Sequence, residues 1–138
     1  DFIIASEQAS LAMTYVRRGL IPDGGGMYYL PRRVGLSMAK QLIFSGRTVD
    51  PQEALALGMI DRIATADNLL EDAREWASEL SAGAPAALAL SKTILNQTFE
   101  LTSEQVYGMG SQAQAICYST AEHLTSVREF LEKKAPKQ

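Results

Sequence analysis

Arg17-Arg18-Gly19-Leu20-Ile21-Pro22-Asp23-Gly24-Gly25-Gly26-Met27-Tyr28-Tyr29-Leu30-Pro31 sets a single carboxylate, Asp23, between an apolar run and three consecutive glycines. Glycine tolerates positive φ and lets another molecule approach the backbone closely. A helix beginning in the triplet would aim free N–H groups and a positive dipole end toward the turn, a geometry that holds an acid or an anion. Two readings of Asp23 therefore stand side by side: a functional carboxylate, or the cap of a helix starting at Gly24. The triplet lacks both the Gly-x-Gly-x-x-Gly spacing and a Gly-Lys-Ser/Thr ending, so it carries no nucleotide-binding signature.

Before this stretch, Asp1 to Ser6 is an apolar run suited to a buried strand, and it starts abruptly, as if cut from a longer chain. Ser10 to Thr14 and Met59 to Ile63 complete the strand candidates. They are too few to cover a parallel sheet, so neighbouring strands are expected to be missing. Phe2, Ile3 and Ile4 on such an edge would favour association.

After the triplet the pattern is helical. The first helix, Gly24 to Val34, is expected to end or kink at Pro31. The next, Leu36 to Phe44, would bury Leu36, Ala39 and Ile43 and stop at Gly46. Asp50-Pro51-Gln52-Glu53 marks a third start, with an N-cap acid, proline at the first position and glutamate at the third, and Gly58 is its stop. From Asp67 to Leu80, helical spacing makes Trp76 and Leu80 core anchors. Three more helices are predicted over Pro85–Thr98, Ser103–Tyr118 and Thr120–Lys133, with Thr102-x-x-Gln105 and Ser119-x-x-Glu122 as capping boxes. Val106, Gly110, Ala113 and Cys117 form a stripe admitting a neighbouring helix, and Ala121, Leu124, Val127 and Leu131 share one face. Lys133, Lys134 and Lys137 suit the negative end of the last helix.

The 138 residues suit one domain, with 46% hydrophobic and 21% charged residues, an ordinary globular composition. A formal net charge of -3 without runs of like charge argues against nucleic acid as a partner. Cys117 and His123 each stand alone, so no internal disulfide and no metal cluster are expected, and His123 reads as a solvated helix residue. A reducing, cytoplasmic compartment is expected. No apolar run reaches the roughly 20 residues of a membrane span.

Ala5-Ser6, the run Gly19 to Gly26, Leu30-Pro31-Arg32-Arg33-Val34-Gly35, Ser45-Gly46-Arg47, Glu53 to Ile60 and Phe130 to Pro136 occur in an order that resembles the second half of the enoyl-CoA hydratase/isomerase (crotonase) family. The resemblance implies the C-terminal part of a crotonase-like α/β spiral fold, mostly helical here with a remnant of sheet. It implies one partial domain over residues 1–138, with the oxyanion-hole donors in an absent first half. It also implies an acyl-CoA thioester substrate with coenzyme A as part of it, no separate cofactor, and a homo-oligomer, a trimer or dimer of trimers, built through the terminal helices.

Family hydratases use two glutamates, one of them four residues before the glycine corresponding to Gly19, where this chain has Tyr15. With a reference pKa of about 10, tyrosine is a poor base at neutral pH. Asp23, directly after Pro22, matches the place where the family's isomerases carry their single acid or base. The resemblance thus favours an isomerase with Asp23 as catalytic residue and Tyr15, Gly24 and Gly25 around the substrate. A hydratase is the alternative within the enzyme class, and a non-catalytic helical assembly fragment the alternative outside it.

Overall fold

The computed structural model describes residues 1–134. Its strands are β1 (Ile4–Ser6), β2 (Leu11–Ala12), β3 (Thr48–Val49) and β4 (Arg62–Ala64). A 3-10 helix spans Thr14–Arg18. The α-helices are α1 (Gly26–Val34), α2 (Leu36–Ser45), α3 (Pro51–Ala56), α4 (Leu69–Ser81), α5 (Pro85–Leu95), α6 (Ser103–Tyr118) and α7 (Ala121–Lys134). The chain divides into two compact units, one ending at Trp76 and the other beginning at Ala77, with α4 running across the division.

In the first unit β1 pairs with β4 in parallel, Ile4 opposite Arg62, and β2 pairs with β3 antiparallel, Leu11 opposite Val49. Strand content is thus low, as expected, and falls in two separate two-stranded sheets, although β3 had no predicted counterpart. The strand expected at Met59 starts only at Arg62, because Met59 and Ile60 are held by the end of α3: both N–H groups point to the Ala54 carbonyl, at 2.8 and 3.4 Å. Gly58 makes that reversal with φ of 76°, where a side chain would strain the backbone.

Leu30, Ala39, Leu42, Val49, Ala54, Met59 and Ile60 form the core. On α2 the buried stripe is Ala39 and Leu42, while Leu36 is 63% exposed. Leu36 opens the helix after a non-helical Gly35, and its position lies outside the stripe that the core contacts. Trp76 is half-buried rather than central: its ring lies 5.2 Å from that of Phe2, and the Arg62 guanidinium stacks 4.1 Å above it. Leu80 is exposed. Pro31 does not end α1, which runs to Val34, and the Arg32 guanidinium donates back across it to the Tyr28 carbonyl at 3.0 Å.

The α3 start forms as read. Asp50 Oδ1 accepts from the Glu53 N–H at 2.9 Å, and Pro51 takes the first position. The Glu53 carboxylate turns to Arg47 in a bidentate pair of 2.8 and 2.6 Å. That hydrogen bonding lowers the Glu53 pKa and raises that of Arg47.

In the second unit, α5 packs on α6 and α6 meets α7. The Thr102–Gln105 capping box closes with both arms, 2.9 and 3.3 Å. The box expected from Ser119 to Glu122 does not form: Ser119 ends α6 and donates to the Ile116 carbonyl, while Thr120 Oγ1 accepts from the His123 N–H. Val106, Gly110, Ala113 and Cys117 are all half-buried, consistent with a packing stripe. On α7, Leu124, Val127 and Leu131 are exposed. Ala135, Pro136 and Lys137 lie outside the described residues.

Leu42 is 1% exposed at the centre of the core. Leu42→Ala is expected to lower unfolding stability by about 2–5 kcal/mol, through lost burial and the residual cavity. Urea denaturation of parent and variant measures this, and a difference under about 1 kcal/mol would remove Leu42 from the centre of the core. The Arg47–Glu53 pair gives a pH signature. A lowered folded pKa contributes stability that is present above the unfolded glutamate value, about 4.3, and lost as pH falls through the folded value. Parent and Glu53→Gln stabilities should therefore differ at neutral pH and converge in acid. A difference constant down to about pH 2 would contradict the pairing.

Candidate functional site around Asp23

Two tight local structures position the candidate residues. The 3-10 helix Thr14–Arg18 follows β2 and ends at Gly19, whose φ of 67° turns the chain. The Gly19 N–H bonds the Val16 carbonyl at 3.1 Å, and the Leu20 N–H bonds that of Tyr15 at 3.1 Å. Tyr15 is 38% exposed. A three-residue turn centred on Pro22 then closes through the Asp23 N–H and the Ile21 carbonyl at 2.9 Å. Pro22 is buried, while Asp23 and Gly24 face solvent.

The helix begins at Gly26, later than expected, because Gly25 has φ of 93° and cannot continue a right-handed helix. Gly25 is itself the N-cap, its carbonyl accepting from the N–H groups of Tyr28 and Tyr29, both at 2.9 Å. No side chain caps the helix, so Asp23 is not a cap. Its carboxylate has no hydrogen-bond or ion-pair partner among the described residues. A Cβ on Gly25 would stand 3.0 Å from two carbons of the Tyr29 ring, whereas Gly24 has open space around it.

The structure thus brings Asp23, Gly24 and Gly25 together in one turn and places Tyr15 on the separate 3-10 helix before it. Leu20, Ile21, Met27, Tyr28 and Tyr29, all exposed, flank the turn in the chain. Sequence reading missed the Arg32 guanidinium stacked 3.5 Å over Tyr28, although an aromatic four residues before an arginine on a helix is the spacing at which the two meet.

Elsewhere, a hollow of about 260 Å³ in the second unit is lined by Ala84, Ala87, Gln114, Cys117, Thr120 and His123, among others. His123 is half-buried, edge-on to Tyr118 at 5.2 Å, rather than a fully solvated residue. Among the described residues no group of three or more His, Cys, Asp or Glu side chains gathers as a metal site, and no helix is long and apolar enough to cross a membrane.

The family model for enoyl-CoA hydratase/isomerase matches residues 1–138. The chain belongs to this crotonase family. It is 34% identical over 140 residues to the carnitinyl-CoA dehydratase of Proteus mirabilis, covering 99% of this chain and 54% of that protein. It is 33% identical over 134 residues to the short-chain-enoyl-CoA hydratase of Clostridium acetobutylicum, covering 97% and 51%. Among solved structures it is similar to an enoyl-CoA hydratase/isomerase from Cupriavidus metallidurans, with TM-score 0.89 and 39% identity over 99% of this chain and 51% of that one. An enoyl-CoA hydratase from Bacillus anthracis superposes with TM-score 0.90 at 33% identity, covering 99% and 53%. The fold is therefore crotonase-like, and the chain spans about half the length of these relatives.

Proposed function

We propose that the whole protein containing this chain acts on an acyl-CoA thioester and shifts its double bond, with Asp23 moving the proton. The observation that carries this reading is the Asp23 carboxylate itself, solvent-facing and without a partner among the described residues after a buried proline, while Tyr15 stands where, by resemblance, the family's hydratases have a glutamate. Asp23 removes a proton from the carbon α to the thioester, and the electron pair delocalises toward the carbonyl oxygen as a dienolate. The neutral acid then returns the proton two carbons along, where a new C–H bond forms and the double bond moves into conjugation. Gly24 leaves the backbone open to the substrate beside the carboxylate, Gly25 adjoins it against the Tyr29 ring, and Tyr15 borders the substrate. Coenzyme A enters only as part of the substrate, with no separate cofactor. Placing the chain in the later half of the family fold rests on the order of its motifs alone.

A hydratase is the second reading, favoured by the names of the relatives, which are hydratases and a dehydratase. Asp23→Asn in the whole protein separates the two. With a β,γ-unsaturated thioester, turnover is expected to fall about 10²- to 10⁴-fold with affinity changed much less, as for loss of a general acid–base. Tyr15→Phe should have a smaller effect. Isomerisation by Asp23→Asn at the parent rate, with hydration of an α,β-unsaturated thioester retained, would establish the hydratase reading instead.

The same proposal includes a homo-oligomer, a trimer or dimer of trimers, supported by the exposed Leu124, Val127 and Leu131 face of α7. Light scattering of the whole protein tests it, and a monomer at high concentration would overturn it.

A further inference from the structure

We propose that Gly26 is a positioning residue for the Asp23 carboxylate, because only a residue without a side chain lets Pro22 pack against the first turn of α1. A Cβ on Gly26 would stand 2.9 Å from the Cβ of Pro22, closer than real Cβ atoms approach. Met13 closes the same space, its Sδ 3.5 Å and Cε 3.6 Å from that point. Pro22 is buried and its ring has no rotamer to change, so it cannot yield as a flexible side chain would. It is also the centre of the turn joining the Ile21 carbonyl to the Asp23 N–H, so displacing it displaces the peptide that carries Asp23.

The three glycines differ in what they need. Gly24 has nothing within 4 Å of its Cβ position, and Gly25 needs its left-handed conformation. Gly26 has no positive φ, so its requirement is space alone. This fixes the sign of the test. Alanine is a stronger helix former than glycine, so a purely helical role predicts that Gly26→Ala is neutral or stabilising. A positioning role predicts the reverse at the turn.

The inference rests on the reading of Asp23 as proton shuttle, and the experiment keeps the two apart. In the whole protein, Gly26→Ala is expected to lower turnover of a β,γ-unsaturated thioester about 10- to 100-fold, as sub-ångström to 1 Å misplacement of a reacting group does, with KM within about threefold. Amide hydrogen exchange over residues 20–30 should accelerate at the same time. Pro22→Gly removes the atom that the new Cβ meets. Adding Gly26→Ala to Pro22→Gly should therefore change turnover and exchange little, a non-additive cycle. This pair also serves if Gly26→Ala alone gives no soluble protein. Parent-like exchange and turnover in Gly26→Ala, or equal damage in the Pro22→Gly background, would overturn the proposal. Fast turnover by Asp23→Asn would instead overturn the catalytic reading, and the exchange cycle would still decide whether Gly26 sets the turn.

Discussion

The Asp61 carboxylate joins three separate parts of the first unit. Its Oδ2 accepts from the Ile3 N–H at 2.7 Å, and its Oδ1 accepts from Arg33 at 2.9 Å, while the Arg33 Nε donates to the Gly58 carbonyl at 2.9 Å. Both side chains are partly exposed, at 27% and 28%, so the ion pair adds little energy by itself. Burial of Leu42, Val49 and Ile60 supplies the larger stabilisation, but apolar burial has no direction. What the fork supplies is register. With Ile3 anchored, its carbonyl accepts from the Asp61 N–H at 2.8 Å and Ile4 falls opposite Arg62, whereas a slip of one residue would exchange the faces of β1.

That constraint was invisible in the sequence because it is long-range. Arg33 and Asp61 lie 28 residues apart in the chain, with α2 and α3 between them, and no local spacing announces the pair. Short-range signals were legible for the opposite reason. Asp50-Pro51-Gln52-Glu53 and Thr102-x-x-Gln105 became caps as read, since their donors and acceptors lie within one turn. The Ser119 to Glu122 box failed because two helices abut there, and the hydroxyl of Ser119 serves the end of α6 instead of the start of α7. At the site, the turn and its glycines were legible as chemistry. The exact helix start was not, because three glycines in a row do not say which of them takes the left-handed conformation.

Periodicity misled where it was used to infer burial. Leu36 and Leu80 both sit on correctly predicted helices, and both are exposed; the face shared by Leu124, Val127 and Leu131 on α7, for which no burial was inferred, is exposed too. An apolar stripe records what a helix is built to cover, and not whether the partner lies in the same stretch of chain. Among the described residues the buried apolar side chains end at Ala64, within the first unit, where helices and strands enclose one another. The stripes of the later helices are laid down by the same rule, but α5, α6 and α7 do not enclose a core of their own.

A group that shuttles protons passes through both its charged and neutral forms in every cycle. A carboxylate that caps a helix loses its best acceptor character on protonation, and removing such a cap costs a helix about 0.5–2 kcal/mol. Its chemistry and the stability of its own support would then be coupled. At this turn the two are separated: Gly25 starts the helix through its backbone, buried Pro22 holds the chain, and the Asp23 carboxylate bonds nothing among the described residues. Protonation there breaks no contact that holds α1. The turn is thus held by its backbone and by Pro22 while the carboxylate, among the described residues, holds nothing, so the proton transfer proposed for Asp23 would not disturb the support of α1.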